Sequence, residues 1–413
     1  MSDSPTHLLI TVTGTDRPGV MSRLFSALSE LSVEDERHPS LDVIDIEQVI
    51  IRGELVLGLE LSTRCAPGPI QAALDTVAVD TDTTITLSTD PDPDYWKRRS
   101  ARHHVVVLGK PLLPSAMAAI SSSIADLGAN IDSIRRLSDY PVTAVELVVS
   151  GARSATLRPA LSATSARSGV DIAVEKGGLD RRTKRLIVMD VDSTLVQGEV
   201  IDSLAARAGR MDQVAAITQR AMRGELDFTE SLHARVAMLE GLPASVVDDV
   251  RRDLKLTPGA ATLIRTLKRM GLKIGIVSGG FTQITDILVA DLGLDFGTAN
   301  TLEIVDGKLT GKVVGTVVDR AGKLAALRRF ADECGVPMEQ TIAVGDGAND
   351  LDMLAKAGLG IAFNAKQVVR EKSHTSLNYP YLDAILYFLG VTQDEVVGAG
   401  EDGLTGHDGT ADE

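Results

Sequence analysis

The sequence predicts an α/β protein: a Rossmann-like, doubly wound parallel sheet with a helical insertion, preceded by two ferredoxin-like βαββαβ units. Three observations predict it. Four short, nearly continuous apolar runs, RLIVMD, LKIGIVSG, TIAVGDG and LGIAFN, follow residue 184 and alternate with helical segments, as strands covered on both faces do. The stretch 199–253 after the first run has only amphipathic helical pattern. Ahead of these runs, the order strand, helix, strand, strand, helix, strand occurs twice without close sequence identity.

Residues 7–15 (HLLITVTGT) read as a strand and 18–31 as a helix with Pro18 in its first turn, where the missing N–H is harmless. Strands near 42–52 and 54–63, a short helix from Pro67 and a strand near 83–88 complete a first unit, placed at 1–92. DPDPDYWKRRSA is Pro-rich, then basic, holds the only tryptophan, Trp96, and reads as a linker over 93–102. The second unit, 103–178, runs HHVVVLGK (strand), PSAMAAISSSIADLG (helix), NIDSIRRL and TAVELVVSG (strands), SATLRPALSATSARSG (helix) and VDIAVEK (strand). The third block covers 179–397, with a core at 185–198 and 256–397 and a helical cap at 199–255. Its other helices fall at 259–270, 282–292, 322–334 and 351–357. From Gly398 to 413 the chain is Gly-rich and acidic and is expected to be disordered.

The 413 residues exceed one ordinary domain, and 44% hydrophobic with 24% charged residues describes a globular chain. A net charge of −15 argues against nucleic acid or an anionic membrane as partner, because nothing draws in a polyanion. No apolar run approaches the ~18–20 residues of a spanning helix, and MSDSPTHLLITV lacks the basic start and apolar core of a leader. Cys65 and Cys334 have no metal-ligand or redox spacing. The expectation is a cytoplasmic protein with two free thiols.

In an open α/β sheet, ligands bind at the carboxyl ends of the strands. There the sequence places Asp190, Asp192, Ser193 and Thr194, then Ser278, Gly279 and Gly280, then Asp346, Asn349 and Asp350. Polar residues at a strand end are often ordinary loop, but three such sets at one sheet edge point to a site. The residue types suit phosphoryl transfer. A carboxylate, Asp190, can attack phosphorus at neutral pH and form a mixed anhydride. Asp192 can protonate the leaving alkoxide and later deprotonate water. Asp190, Asp346 and the Asp192 carbonyl offer hard oxygens to Mg²⁺. Ser278 and the Gly279 amide can bind phosphoryl oxygens. Lys323, by itself an ordinary solvated lysine, is the candidate cation, and Asp350 can orient it or bind the metal through water.

DVDSTL at 190–195, SGG at 278–280, Lys323 and GDGAND at 345–350 resemble the four motifs of the haloacid-dehalogenase-like phosphatases. DVDSTLVQGEVID and MRGELDFTESLHARV narrow the resemblance to the phosphoserine phosphatase family over about 185–392. It implies hydrolysis of O-phosphoserine to serine and phosphate in serine biosynthesis, through an aspartyl-phosphate and with Mg²⁺. It further implies that Glu199 meets the substrate ammonium and Arg235 its carboxylate. Met222 and Phe228 would shield the site, Asn349 and Gly280 would sit beside the phosphate, and Thr194 behind the acidic groups. The residues alone are compatible: an Arg and a carboxylate match the two charges of an amino acid. Taken singly, Arg235 is more often a surface residue, and Glu199 could merely complement a helix dipole.

The two N-terminal units resemble ACT domains. GTDRPGV at 14–20 is the strand-to-helix turn of that family, and GKPLLP at 109–114 stands in its place in the second unit without the DRPG signature. The resemblance implies serine as feedback effector near Asp16, Gly19 and Gly109, and a homo-oligomer, in first expectation a dimer. Two other readings compete with hydrolysis: transfer of the phosphoryl group to a hydroxyl such as homoserine's, and an amino-acid-sensing interaction protein whose catalytic residues have decayed.

Overall fold

The computed structural model describes residues 6–31, 41–89, 102–178, 181, 183–373 and 375–401. The chain divides into two compact units, 1–97 and 98–413. The division falls in the expected linker, of which 93–101, Trp96 included, lie outside the described residues.

In the first unit, β1 (Thr6–Thr15), α1 (Val20–Glu30), β2 (Leu41–Ile51), β3 (Glu54–Thr63), α2 (Pro67–Thr81) and β4 (Thr83–Ser88) follow the expected order. The strands form an antiparallel sheet ordered β2-β3-β1-β4. Leu8, Ile10 and Val12 alternate along β1 and pack with Leu24 and Leu28 of α1 and Ile70 and Leu74 of α2. One boundary differs from expectation. Pro18 precedes the helix, because Gly19 takes φ 100 at the N-cap and α1 starts only at Val20. That left-handed conformation favours glycine. Helix α2 is also not short, at 15 residues.

The second unit holds the other repeat and the third block, from residue 183, together. The repeat comprises β5 (His103–Gly109), α3 (Pro114–Ala125), β6 (Asn130–Ser138), β7 (Thr143–Ser150), α4 (Ser154–Ser168) and β8 (Asp171–Lys176), with sheet order β6-β7-β5-β8. Strand periodicity explains why it does not stand apart. Val105 and Val107 pack with Ile120 of α3 and Leu157 and Leu161 of α4. Val106 and Leu108, pointing the other way, join the apolar cluster of the third block. Around this apolar contact lie buried charges. Arg181 pairs with Glu146 at 2.5 Å and with Glu175 at 3.5 Å, and Lys184 with Glu175 at 3.7 Å. Burial would raise Glu146, but His104, Arg181 and Arg135 hold it down to about 2.

The sheet of the third block is ordered β12-β11-β10-β9-β13-β14-β15. Strand β9 (Leu186–Asp190) is central, and the insertion after it folds as α5 (Val200–Arg207), α6 (Met211–Met222), α7 (Phe228–Ala237) and α8 (Val246–Asp253). An Asp227/Glu230 capping box starts α7. Then come α9 (Ala260–Arg269), β10 (Lys273–Phe281), α10 (Thr282–Leu292), β11 (Phe296–Val305), β12 (Lys308–Val314), α11 (Arg320–Glu333), β13 (Thr341–Gly345), α12 (Leu351–Lys356), β14 (Leu359–Phe363), α13 (Gln367–Arg370), β15 (Thr375–Leu377), α14 (Ile385–Phe388) and α15 (Gln393–Glu401).

Strands β11, β12 and β15 are additions to the sequence reading. Their threonines, asparagine and lysines interrupt the apolar runs that marked the central strands, since they lie toward the sheet's ends. Because β12 runs antiparallel to β11, the sheet is mixed rather than wholly parallel. At the other end of the chain, α15 continues past Gly398, where disorder was expected, and 402–413 lie outside the described residues.

Candidate active site

Strands β10 and β13 flank β9, so the chain leaves β9 at a point where the sheet is wound in both directions. That is where a crevice opens at the strand ends. The turn after β9 is tight. Ser193 takes φ 55, while the Val191 N–H donates to Asp190 Oδ1 at 2.8 Å and the Val200 N–H to Asp192 Oδ1 at 2.8 Å. Thr257 Oγ1 ties this turn to the core by donating to the Thr194 carbonyl at 2.6 Å.

A cavity of about 570 Å³ lies over these strand ends and under the cap. Core and insertion both line it: Asp190, Asp192, Lys323, Asp346 and Asn349 from below, and Glu199, Phe228 and Arg235 from the other side. Lys323, with no exposed surface, lies 2.8 Å from Asp190 Oδ1 and 2.6 Å from Asp350 Oδ1. Burial alone would lower its pKa, but the two carboxylates raise it, so the ammonium stays charged. Asp350 also accepts from the Gly347 N–H at 2.9 Å. Both its oxygens are thereby engaged, one by Lys323 and one by the Gly347 N–H.

Asp190 is pushed well above the usual carboxylate range, by burial first and then by Asp350, against the pull of Lys323. Asp346 is raised to about 6, by burial and Asp350, while Thr194 donates to it at 3.2 Å. Carboxylate oxygens of Asp190, Asp346 and Asp350 come within 4.8 Å of one another. One lysine offsets three acids here, and such an excess of hard oxygen donors fits a small divalent cation.

The SGG turn is bonded to the first acidic motif. Ser278 Oγ donates to Asp192 Oδ2 at 3.0 Å and accepts from the Gly280 N–H at 2.7 Å. Its side chain therefore lies behind the cavity floor, which Gly279 and Gly280 form. A Cβ on Gly279 would meet Phe228 Cζ at 2.9 Å, and one on Gly280 would meet Asp192 Oδ2 at 2.9 Å. A side chain at either position would have to displace the Phe228 ring or the Asp192 carboxylate, so glycine permits the close approach.

On the cap side, Ser193 donates to Glu199 Oε1 at 3.1 Å. Burial, then Asp192 and Asp346, raises Glu199 to about 7, against the Ser193 hydrogen bond, and a nearby ammonium ion would favour its charged form. Arg235 is partly buried, not a surface residue, and its Nε donates to the Ser231 carbonyl at 3.3 Å.

A haloacid dehalogenase-like hydrolase family matches residues 184–358, and ACT domain families match 6–88 and 101–175. A phosphoserine phosphatase of Streptomyces coelicolor is 56% identical over 400 residues, covering 96% of this chain and 95% of that protein. The chain belongs to the phosphoserine phosphatase family. A relative of that name from Mycobacterium tuberculosis is 54% identical and covers 95% of both chains. Among solved structures, a probable phosphoserine phosphatase of Vibrio cholerae, unliganded, aligns with TM-score 0.56 at 35% identity, over 74% of this chain and 90% of that one. A haloacid dehalogenase family hydrolase of Salmonella enterica serovar Typhi gives TM-score 0.61 at 31% identity, over 69% and 98%.

Of the family-implied residues, the Met222 side chain lies outside the described ones. Asp16 and Gly19 stand exposed at the β1–α1 turn of the first unit. Gly109 serves packing, since a Cβ there would lie 2.7 Å from Leu112 Cα. None of these three lines the cavity. The sequence reading missed Asn300, which is buried on β11. Its Nδ2 donates to the Gly279 carbonyl at 2.8 Å, and its Oδ1 accepts from the Val318 N–H at 2.7 Å. It also missed Arg320 and Lys366, two cations lining the cavity. No motif marks them, because their relevance arises only where β11, α11 and the β14–α13 turn converge.

Proposed function

We propose that this protein hydrolyses O-phospho-L-serine to L-serine and phosphate through an aspartyl-phosphate on Asp190, in serine biosynthesis. The observation that carries this reading is the joining, in one cavity, of a phosphoryl-transfer floor with an amino-acid clamp from the cap. Lys323 offsets the negative charge that nucleophile and phosphate bring together, and Gly279 and Gly280 let backbone approach the phosphoryl oxygens. Glu199 takes the substrate ammonium and Arg235 its carboxylate, with Phe228 closing over them and Asn349 beside the phosphate.

Asp192 is raised by burial, against donors from Val200 and Ser278, which favours the protonated acid that donates to the serine alkoxide. The resulting carboxylate then takes a proton from the hydrolytic water. Ser278, bonded to both Asp192 and Gly280, couples the acid to the phosphate-binding turn.

Asp190, Asp346 and the Asp192 carbonyl would hold Mg²⁺, since Asp350 is committed to Lys323. When bound, the ion supplies positive charge to a phosphoryl oxygen. The ACT domains fit regulation by an amino acid, with serine as the effector. A homodimer fits the exposed apolar side chains of edge strand β2, among them Val43, Ile46, Val49 and Ile51. The two thiols, Cys65 and Cys334, suit a reducing cytoplasm.

Phosphate release from phosphoserine tests the reading. Wild-type protein with Mg²⁺ should turn over, and Asp190→Asn should reduce kcat at least ~10³-fold, as loss of a covalent nucleophile does. Appreciable turnover by Asp190→Asn would sink the mechanism.

A further inference from the structure

A second cleft, of about 770 Å³, opens between α4 of the second ACT domain and the catalytic segment that begins at α13. Its volume lies within the ordinary range for small-molecule sites. Arg158, Ser162 and Ala163 line it from α4, and Gln367, Arg370 and Glu371 from the catalytic side. The wall is held by polar contacts that cross between the domains. Asp171 on β8, almost wholly buried, accepts from the Asn378 N–H at 2.6 Å, and Asn378 in turn accepts from Arg370 Nη1 at 3.2 Å. Across the cleft, Arg158 Nε donates to the Val174 carbonyl at 3.2 Å.

Helix α13 has a cavity on each side. Lys366, Val368 and Val369 line the active site, while Gln367, Arg370 and Glu371 line the cleft. A single turn of helix therefore separates the two spaces.

We propose that this cleft is a binding site for a small α-amino acid, and that its occupancy reaches the active site through residues 366–371. Arg158 and Arg370 supply guanidinium groups for the carboxylate, Glu371 a carboxylate for the ammonium, and Ser162 a hydroxyl. Both charge signs of a zwitterion are thus matched within one cleft. The site is distinct from the β1–α1 turn at Asp16 and Gly19 and from the catalytic cavity. Ligand there displaces α13 and with it Lys366 at the cavity wall, so substrate binding and turnover change without any contact between ligand and substrate.

Calorimetric titration of the full chain with glycine, L-serine, L-alanine and L-aspartate reads binding without turnover, so failure here is distinguishable from failure of the proposed reaction. At least one of these should bind saturably. Ala163→Trp, which fills the cleft, and Arg158→Ala should each weaken that binding at least tenfold, while Arg235→Ala, which disables the active-site clamp, should leave it in place. In wild-type protein, ligand should slow backbone hydrogen exchange at 158–169 and 367–373, a readout independent of how well any variant folds. It should also change kcat/KM for phosphoserine at least twofold. No saturable binding, binding abolished by Arg235→Ala but kept in Ala163→Trp, or protection confined to 14–23 would overturn the site. Binding in the cleft with an unaltered rate would overturn the transmission.

Discussion

Asn300 touches neither phosphate nor metal in the proposed reaction, yet replacing it with alanine should damage both stability and rate. Its side-chain amide makes two hydrogen bonds, to the Gly279 carbonyl at 2.8 Å and from the Val318 N–H at 2.7 Å, and its surface is 1% exposed. Alanine removes both partners at once and leaves a backbone acceptor and a backbone donor unpaired. At ~1–3 kcal/mol for each stranded group, the loss is about 2–6 kcal/mol. At ~2–4 °C per kcal/mol for a domain of about 200 residues, that corresponds to a Tm lower by roughly 4–24 °C. The rate effect has a separate origin. In the proposed reaction Gly279 and Gly280 form the floor beneath the phosphoryl oxygens, and releasing the Gly279 carbonyl frees that turn to rotate. Losing a preorganised donor costs ~10²–10³ in kcat, and since the turn is loosened rather than removed, about 10–100-fold is expected. Calorimetric melting together with steady-state phosphoserine kinetics checks both parts. A variant that melts within ~2 °C of wild type and retains its kcat would refute the reasoning, because hydrogen bonds worth so little could not be what positions the turn.

Three further outcomes follow from the same geometry. Arg235→Ala should lower kcat/KM for phosphoserine about 10²-fold while leaving p-nitrophenyl phosphate hydrolysis nearly unchanged, as loss of a charge-assisted carboxylate contact implies; equal losses would remove the case for carboxylate recognition. Adding Mg²⁺ to chelator-treated protein should raise the Tm, and Asp346→Asn should abolish that rise, which thermal melting reads without any turnover. Asp171 gives a pH dependence. Burial raises its carboxyl from 3.8 to about 6, against hydrogen bonds from Asn378 and Ser376. Between these values the native state holds more protons than the unfolded chain, so this group's contribution to stability falls as pH rises from ~4 to ~6, by up to about 3 kcal/mol. Comparing melting of wild type and Asp171→Asn from pH 4.5 to 7 should show wild type gaining relative stability toward acid. A difference that does not vary with pH would contradict it.

Much of this protein was readable before any coordinates. The apolar runs ending in Asp190, Ser278 and Asp346 are legible because a strand buried on both faces must be apolar until it reaches the sheet edge, and there a polar residue stands out. The two ferredoxin-like units are legible by their periodicity and repeated order. Strands β11 and β12, half polar and near one end of the sheet, carry no such mark, and so Asn300 went unseen with them.

The sequence by itself determined which residues can do chemistry and in what order they meet the sheet edge, since those depend on side-chain type and on a period of two or 3.6 residues. Tertiary structure alone decided their commitments. Asp350 could have oriented Lys323 or met it only through solvent, and in the folded chain its carboxylate lies 2.6 Å from the Lys323 ammonium. Likewise, nothing in the local sequence distinguishes the sheet of the second ACT domain, packed on both faces, from that of the first, whose β2 side chains stay exposed. Which surface a strand's second face meets depends on residues hundreds of positions away, and local patterning holds no information about them.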